Sequence, residues 1–191
     1  MPSHYVAEYV MAVTISLTQT AIFQAMMTVL GTMGLVDANA APCPIIRGQV
    51  NRVPEPKNND FIVIWPILRE RLDFNVDSWA FVSAPTTTQA EQRIKLTFQA
   101  DVHGPNAADN ATKLSTLWRD QFAVSAFQAL GVAISPLYTD DPRQMPFENA
   151  EQATEERWVV DLVMQANITI TTDMQFANQL LGTVLEVDQL R

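Results

Sequence analysis

The first strong pattern along the chain is that of an amphipathic helix. After Thr18, apolar side chains recur every three or four positions. They form one stripe, made of Ile22, Met26, Val29 and Met33. Ser16 or Thr18 can cap the start of such a helix, and Gly34 suits its end. The pattern therefore predicts a helix that runs to about Gly34.

Just before this helix the period changes to two. Apolar and polar side chains alternate, in the order Val13, Thr14, Ile15, Ser16 and Leu17. This alternation predicts a short strand, and we interpret residues 1–15 as an N-terminal arm that can add to a neighbouring subunit. No repeat and no long linker divides the remainder, so residues 16–191 are expected to form a single domain.

The middle of the chain alternates as β-strands do. Residues 61–76 read FIVIWPILRERLDFNV, and Pro66 predicts an edge or a bulge because proline lacks the N–H that a sheet ladder needs. Residues 94–103 alternate most regularly. Their apolar positions, which we expect to be buried, are Ile94, Leu96, Phe98, Ala100 and Val102. Residues 37–60 are expected to form a proline-rich loop with a short strand around 45–50.

The second half of the chain predicts another helix and a long strand. After Gly104, residues 106–129 keep a helical period. Residues 157–171 then alternate over roughly 45 Å, which is too long for one small sheet and favours a protruding β-hairpin. A helical turn at 175–181 and a last strand at 183–188 complete the pattern. The prediction is an α+β fold: an antiparallel β-sheet with two helices packed on one face and a long protruding β-hairpin.

The composition indicates an acidic subunit of an oligomer. Of the 191 residues, 48% are hydrophobic and only 17% are charged, and obligate interfaces are depleted in charge. The net charge is −9 and no run is rich in Lys or Arg, which argues against binding nucleic acid through its phosphates. The single cysteine, Cys43, permits no internal disulfide, in keeping with assembly in a reducing cytoplasm.

The uncharged stretch between Glu8 and Asp37 is not expected to be a secretory signal or a membrane span. The first Lys or Arg of the chain is Arg47, so the basic region of a signal peptide is missing. Polar side chains such as Thr28 and Thr32 interrupt the apolar run, and a membrane span would bury them in lipid. A helix packed against protein is favoured, and no membrane partner is expected.

Candidate catalytic chemistry is sparse. Asp101 and His103 lie two positions apart on one strand, so they face the same side and could begin a metal site. No third ligand follows at motif spacing, which favours a solvated polar face. The acids between 140 and 156 lie in or beside a proline-containing loop, where solvent keeps them ordinary acids without catalytic properties. A metal-dependent hydrolase that uses His103, Asp101 and these acids is the alternative, and we expect a non-enzymatic protein without cofactor or metal.

Four stretches carry a more specific signal. They are QVNRVPEP at 49–56, NVDSW at 75–79, FQADVHGPNAADNATKLSTLWRD at 98–120 and PLYTDDPRQMPFENAEQATEERWVVDLVMQAN at 136–167. Together they resemble phage neck or tail-terminator (tail-completion) proteins across about residues 45–190. The last stretch, which joins a proline-punctuated loop to a long strand, is the most specific, and the first fifteen residues look like an extension.

This resemblance implies a structural virion protein that assembles in the host cytoplasm as a ring, in a hexamer, at the head-proximal end of the tail. The implied partners are other copies of the chain, the tail tube protein, a head-completion or connector protein and, as a further option, the tail sheath. DNA would pass through the ring without sequence-specific binding. A head-completion or tail-tube protein of the same neck is the related alternative.

Two groups of residues are expected to act at surfaces. The candidate interface residues are Val13, Ile15, Leu17, Pro136, Leu137, Tyr138, Pro142, Arg143, Met145, Phe147 and Trp158. The candidate acids of the ring lumen are Asp101, Asp140, Asp141, Glu148 and Glu151. An acidic lumen would repel phosphate and so let DNA leave without capture.

Overall fold

The computed structural model of the chain describes residues 12–48, 56, 60–80, 86–145, 147–148 and 154–174. Its helices are α1 (Gln19–Gly31), α2 (Ala107–Arg119) and α3 (Gln121–Ala129). Its strands are β1 (Val13–Ile15), β2 (Ile45–Arg47), β3 (Phe61–Arg71), β4 (Val76–Ala80), β5 (Thr86–His103), β6 (Ile134–Thr139), β7 (Arg143–Gln144), β8 (Phe147–Glu148), β9 (Thr154–Glu155) and β10 (Arg157–Met174). The predicted α+β class is confirmed.

Helix α1 begins where the sequence predicts it. Thr18 is extended, with φ −80° and ψ 160°, and its hydroxyl accepts a hydrogen bond from the N–H of Ala21 at 3.2 Å, so it caps the helix. The helix ends at Gly31, one turn earlier than predicted. Gly34 follows with φ 65°, a left-handed conformation that glycine adopts without strain. The buried face consists of Ile22, Phe23, Ala25, Met26, Val29 and Leu30.

Two strands of 18 residues form the centre of the sheet. β5 and β10 are antiparallel and pair along their whole length, from His103 opposite Arg157 to Thr86 opposite Met174. The other side of β5 is lined by β3 and β4, and the other side of β10 by β7, β6 and β1. β2 is parallel to β3, and β8 and β9 form a separate pair. The register of β3 shifts after Pro66, which confirms the predicted bulge.

The helix predicted over residues 106–129 is divided in two. Asp120, between α2 and α3, is extended, with φ −90° and ψ 163°. Its carboxylate accepts a hydrogen bond from the N–H of Phe122 at 2.9 Å, so Asp120 ends one helix and caps the next. The described chain therefore contains three helices where two were predicted.

The core lies between these helices and one face of the central strands. The buried side chains of β5 are Ile94, Leu96, Phe98, Ala100 and Val102, as the alternation predicts, and β10 adds Val160, Leu162, Met164, Ala166 and Ile168. Phe23 of α1 meets Phe98 edge-on, with ring centroids 5.2 Å apart. Trp118 of α2 meets Phe127 of α3 in the same way at 5.8 Å. The helices thus pack on one face, as predicted.

Several predictions extend beyond the described residues. The helical turn at 175–181 and the strand at 183–188 lie outside them. Of the predicted arm, Val13–Ile15 forms β1, and it pairs with β10 of its own chain. The protruding hairpin and the arm's contact with a neighbour stay predictions. The single domain over 16–191 also stays a prediction, although buried side chains from Leu17 to Ile168 share one hydrophobic cluster.

Candidate functional site

The sheet face that turns away from the helices carries a polar cluster centred on Asp101. Asp101 is only 4% exposed. Its carboxylate accepts hydrogen bonds from the guanidinium of Arg157 and from the side-chain amide of Gln99, each at 2.6 Å. A buried carboxylate is costly without a cation, so Arg157 compensates this charge within the subunit.

His103 lies on the same face of β5 as Asp101 and is buried against an aromatic ring. Its imidazole stacks on Phe61, with centroids 4.5 Å apart and planes 6° from parallel. Among the residues that the structure describes, no group of three or more His, Cys, Asp or Glu could hold a metal ion. Arg157 and Gln99 thus contact Asp101, and the ring of Phe61 stacks on His103.

The segment from β6 to β7 presents an apolar surface. Its exposed side chains are Leu137 (43%), Tyr138 (47%) and Met145 (49%), while Pro136 and Pro142 are half-buried. Arg143 forms an ion pair with Asp161 of β10 at 2.8 Å. Large exposed apolar patches often mark surfaces that contact another protein, so this segment is a candidate contact surface.

Arg119, at the end of α2, anchors this segment. Its guanidinium donates to the carbonyl oxygen of Thr139 at 3.0 Å and lies 3.5 Å from the carboxylate of Asp141. Asp140 is exposed, and the side chain of Asp141 is 93% exposed. The two acids therefore project into solvent from a backbone that is held in place.

A third cluster ties the loop after α1 to the start of α2. Asp60 is 1% exposed, and its carboxylate accepts from the N–H of Ala38 at 3.0 Å and from that of Asn106 at 2.8 Å. Asn110 pairs with both backbone groups of Val36, at 3.2 and 2.8 Å. Buried side chains thus satisfy backbone groups of a loop that has little regular structure.

Cys43 is buried beside this cluster. Burial, together with the charges of Asp60 and Asp37, raises the pKa of its thiol to about 11. A nucleophilic cysteine needs a lowered pKa, so this residue has the properties of a structural one.

The end of the sheet where β10 finishes has four strands in the order β1, β10, β5 and β4. We call residues 13–15, 170–172, 88–90 and 77–79 the distal ribbon. One row across it is Val13, Thr172, Thr88 and Trp79, and another is Ile15, Ile170, Ala90 and Asp77. Residues of one row share a face, and both rows lie on the face that continues the core. The exposed apolar members are Val13 (65%), Trp79 (63%), Ile15 (48%) and Ile170 (38%).

The sequence itself matches a known family. Residues 20–188 match the model of a family described as phage neck terminator protein. The chain belongs to the phage neck terminator family. The match confirms the resemblance inferred for residues 45–190 and extends it to α1. A search of curated proteins found no match.

The neck terminator family is a family of structural phage proteins. A neck protein belongs to the virion and contacts other proteins of the head or tail. Within the described chain, no helix has both the length and the apolar character needed to cross a bilayer.

The predicted contact residues of this neck terminator occupy different environments. Val13 and Ile15 belong to the distal ribbon, whereas Leu17 is 6% exposed and lies in the core. Trp158 is half-buried against the core, and its indole N–H donates to Glu156 at 2.8 Å. The side chain of Phe147 lies outside the described part of the chain. The interface assignment stays a prediction, carried by the exposed members of the set.

The predicted lumen acids divide in the same way. Asp101 is buried and paired with Arg157, so the subunit itself compensates its charge. Asp140 and Asp141 are exposed. The side chain of Glu148 and all of Glu151 lie outside the described residues. That the exposed acids of the neck terminator face a lumen stays a prediction.

Sequence reasoning missed an exposed apolar region around β3 and β4. It comprises Ile67 (56%), Leu68 (49%), Leu72 (48%), Phe74 (90%), Val76 (49%) and Trp79 (63%). The alternation of Leu72, Phe74 and Val76 with polar residues predicted a strand, without indicating that these side chains are exposed. Alternation separates the two faces of a strand, but it does not reveal whether another layer covers the apolar one.

Proposed function

We propose that this neck terminator forms a closed ring, a hexamer, at the head-proximal end of the tail. There it stops the growth of the tail tube and joins the tail to the head-completion or connector proteins. The observation that carries the proposal is the family match, which spans all three helices and the central sheet. Head-to-tail contacts between identical subunits close into a ring when their rotation permits.

The distribution of exposed apolar side chains supports this role. A ring subunit at a junction needs one set of contacts for its own copies and another for the proteins above and below. The distal ribbon and the β6–β7 segment are two such surfaces, and they lie at different places along β10. We assign the β6–β7 segment, with Leu137, Tyr138 and Met145, to the tail tube or head-completion protein. The tail sheath is a further partner in a contractile tail.

The charge of the chain suits a passage for DNA. Each subunit carries a net charge of −9, and ring symmetry repeats every acid around the axis. We place Asp140 and Asp141 at the lumen because they are exposed on an anchored turn. Carboxylates around a pore repel phosphate, so DNA would pass without being held.

Light scattering of the purified protein and electron microscopy of labelled particles test the proposal together. We expect a closed multiple of the 21.3 kDa chain and a label at the junction of head and tail. Tails assembled without the protein should carry tubes of uncontrolled length. A protein that stays monomeric at all concentrations, or a label along the whole tube, would contradict the proposal.

A further inference from the structure

Among the residues that the structure describes, the distal ribbon ends on each side in a strand with one open edge. β1 pairs with β10 and β4 pairs with β5, and within the described residues no strand pairs with the other side of either. An open side presents backbone N–H and C=O groups that can accept another strand. Proteins protect such edges with charges, proline or bulges. Val13–Ile15 has no charge and no proline, and β4 has one charged residue, Asp77.

The two edge strands run in opposite directions and lie at the same height along the strand axis. All neighbours in the ribbon are antiparallel, so β1 and β4, at its two ends, run in opposite directions. They are also level, since Val13 and Trp79 lie in one row. A second copy, related to the first by rotation about an axis roughly along the strands, would therefore place its β1 antiparallel to β4 of the first.

The side chains that this contact would bring together are compatible. With level rows, Trp79 faces Val13 of the next copy, which makes an aromatic and β-branched pair of the kind that stabilises sheets. Ser78 faces Thr14 on the other side of the sheet, and Asp77 faces Ile15, so no like charges meet. A shift by one residue would place Trp79 and Val13 on opposite faces, so only even shifts keep the apolar face continuous.

We propose that the occupant of each open strand is a second copy of this chain, and that the sheet continues from copy to copy by pairing of β4 with β1. The inference rests on the ring proposed above and specifies its contact. Two different edges meet, so the contact is head-to-tail, as a ring requires. In this contact β1, which is part of the predicted arm, stays paired with β10 of its own chain and meets the neighbour through its other edge.

A pair of cysteines tests the contact. Thr14 and Ser78 are exposed and share a row, but within one chain they are three strand spacings apart, or about 14 Å. That distance is too long for a disulfide, so Thr14→Cys with Ser78→Cys can close only between copies. After mild oxidation we expect a ladder of covalent multimers on a denaturing gel, ending at the size of the ring and collapsing on reduction.

Matched variants control the experiment. Each single variant, Thr14→Cys or Ser78→Cys, should remain mostly monomeric on the gel, which also reports any contribution from Cys43. Thr14→Cys with Ser125→Cys has the same number of thiols but moves one to the exposed surface of α3, and it should form no ladder. A short bis-maleimide also reaches diagonal neighbours about 7–8 Å away, so it detects a register shifted by two residues.

The possible failures are distinguishable. If the protein forms a ring by light scattering but the double variant forms no ladder with either reagent, this contact is excluded and the ring proposal stands. Cross-linking of Thr14→Cys or Ser78→Cys to the tail tube protein in particles, in place of a second copy, would also overturn the contact. A protein that never forms a ring would overturn both proposals.

Discussion

Arg157 compensates a buried charge on the outer face of the sheet. It provides the cation for Asp101, which is 4% exposed. We expect Arg157→Ala to lower the free energy of unfolding by about 3 kcal/mol, because it leaves a buried carboxylate without a partner. Urea denaturation at neutral pH measures this loss.

Arg93 provides the control for this prediction. It pairs with Asp73 at 3.3 Å, but the two side chains are 44% and 36% exposed. Solvent screens such a pair, so Arg93→Ala should cost less than about 1 kcal/mol. Equal losses for the two variants would show that burial of Asp101 does not govern the effect.

The thiol of Cys43 should be inert at neutral pH. Its pKa of about 11 leaves almost no thiolate, so iodoacetamide should react slowly with the folded protein and rapidly with the protein in urea. The unfolded chain loses this proton near pH 9, whereas the folded chain keeps it to about pH 11. The free energy of unfolding should therefore fall as pH rises through this range. Rapid alkylation of the folded protein would contradict the assignment.

Burial of individual polar residues was the property that the sequence revealed least well. Asp101 stands on a regularly alternating strand and was predicted to face solvent or a lumen. Its partner Arg157 lies 56 residues away, and local periodicity contains no information about such a contact. Leu17 was likewise predicted to lie at an interface, but it packs in the core next to α1.

At the scale of elements, Asp120 separates two helices that share one period. Asp120→Ala removes the side chain that accepts from Phe122, and it should lower the free energy of unfolding by about 1 kcal/mol. Asp120→Ser, which retains a capping oxygen, should restore most of the loss. Thermal unfolding followed by circular dichroism measures both, and equal stability of the Ala and Ser variants would exclude a capping role.

Element types were more predictable than their partners. The alternation of β5 identified its buried face, Thr18 identified the start of α1, and Pro66 identified a bulge. Local spacing determines each of these. In contrast, local spacing does not reveal that β3 and β4 share one side of β5 or that β1 joins β10. Strand pairing depends on contacts between distant parts of the chain. The distal ribbon was therefore not visible in the sequence.

At the scale of the whole molecule, the proposed pore predicts a charge effect on DNA release. Asp140→Asn with Asp141→Asn removes two exposed acids from each subunit and should slow DNA ejection, because a less acidic passage repels phosphate less. The time course of DNA release from purified particles measures this effect. The difference should shrink at high salt, which screens the repulsion.

A variant with the same change in net charge provides the control. Ser125→Lys with Gln128→Lys also adds two positive units to each subunit, but on the exposed surface of α3. It should eject DNA at the normal rate. An equal slowing by both variants would mean that the position of Asp140 and Asp141 has no particular role.

The central place of β10 has a consequence for the time course of folding. β1, β5, β6 and β7 all pair with β10, yet all of them precede it in the chain. A nascent chain that has not reached residue 157 therefore lacks the common partner of four strands. Sheets built from such distant contacts fold in milliseconds to seconds, and their unpaired strands attract chaperones in the meantime. Only a chain translated through β10 can close its own sheet, so a truncated chain that ends before residue 157 should fail to fold.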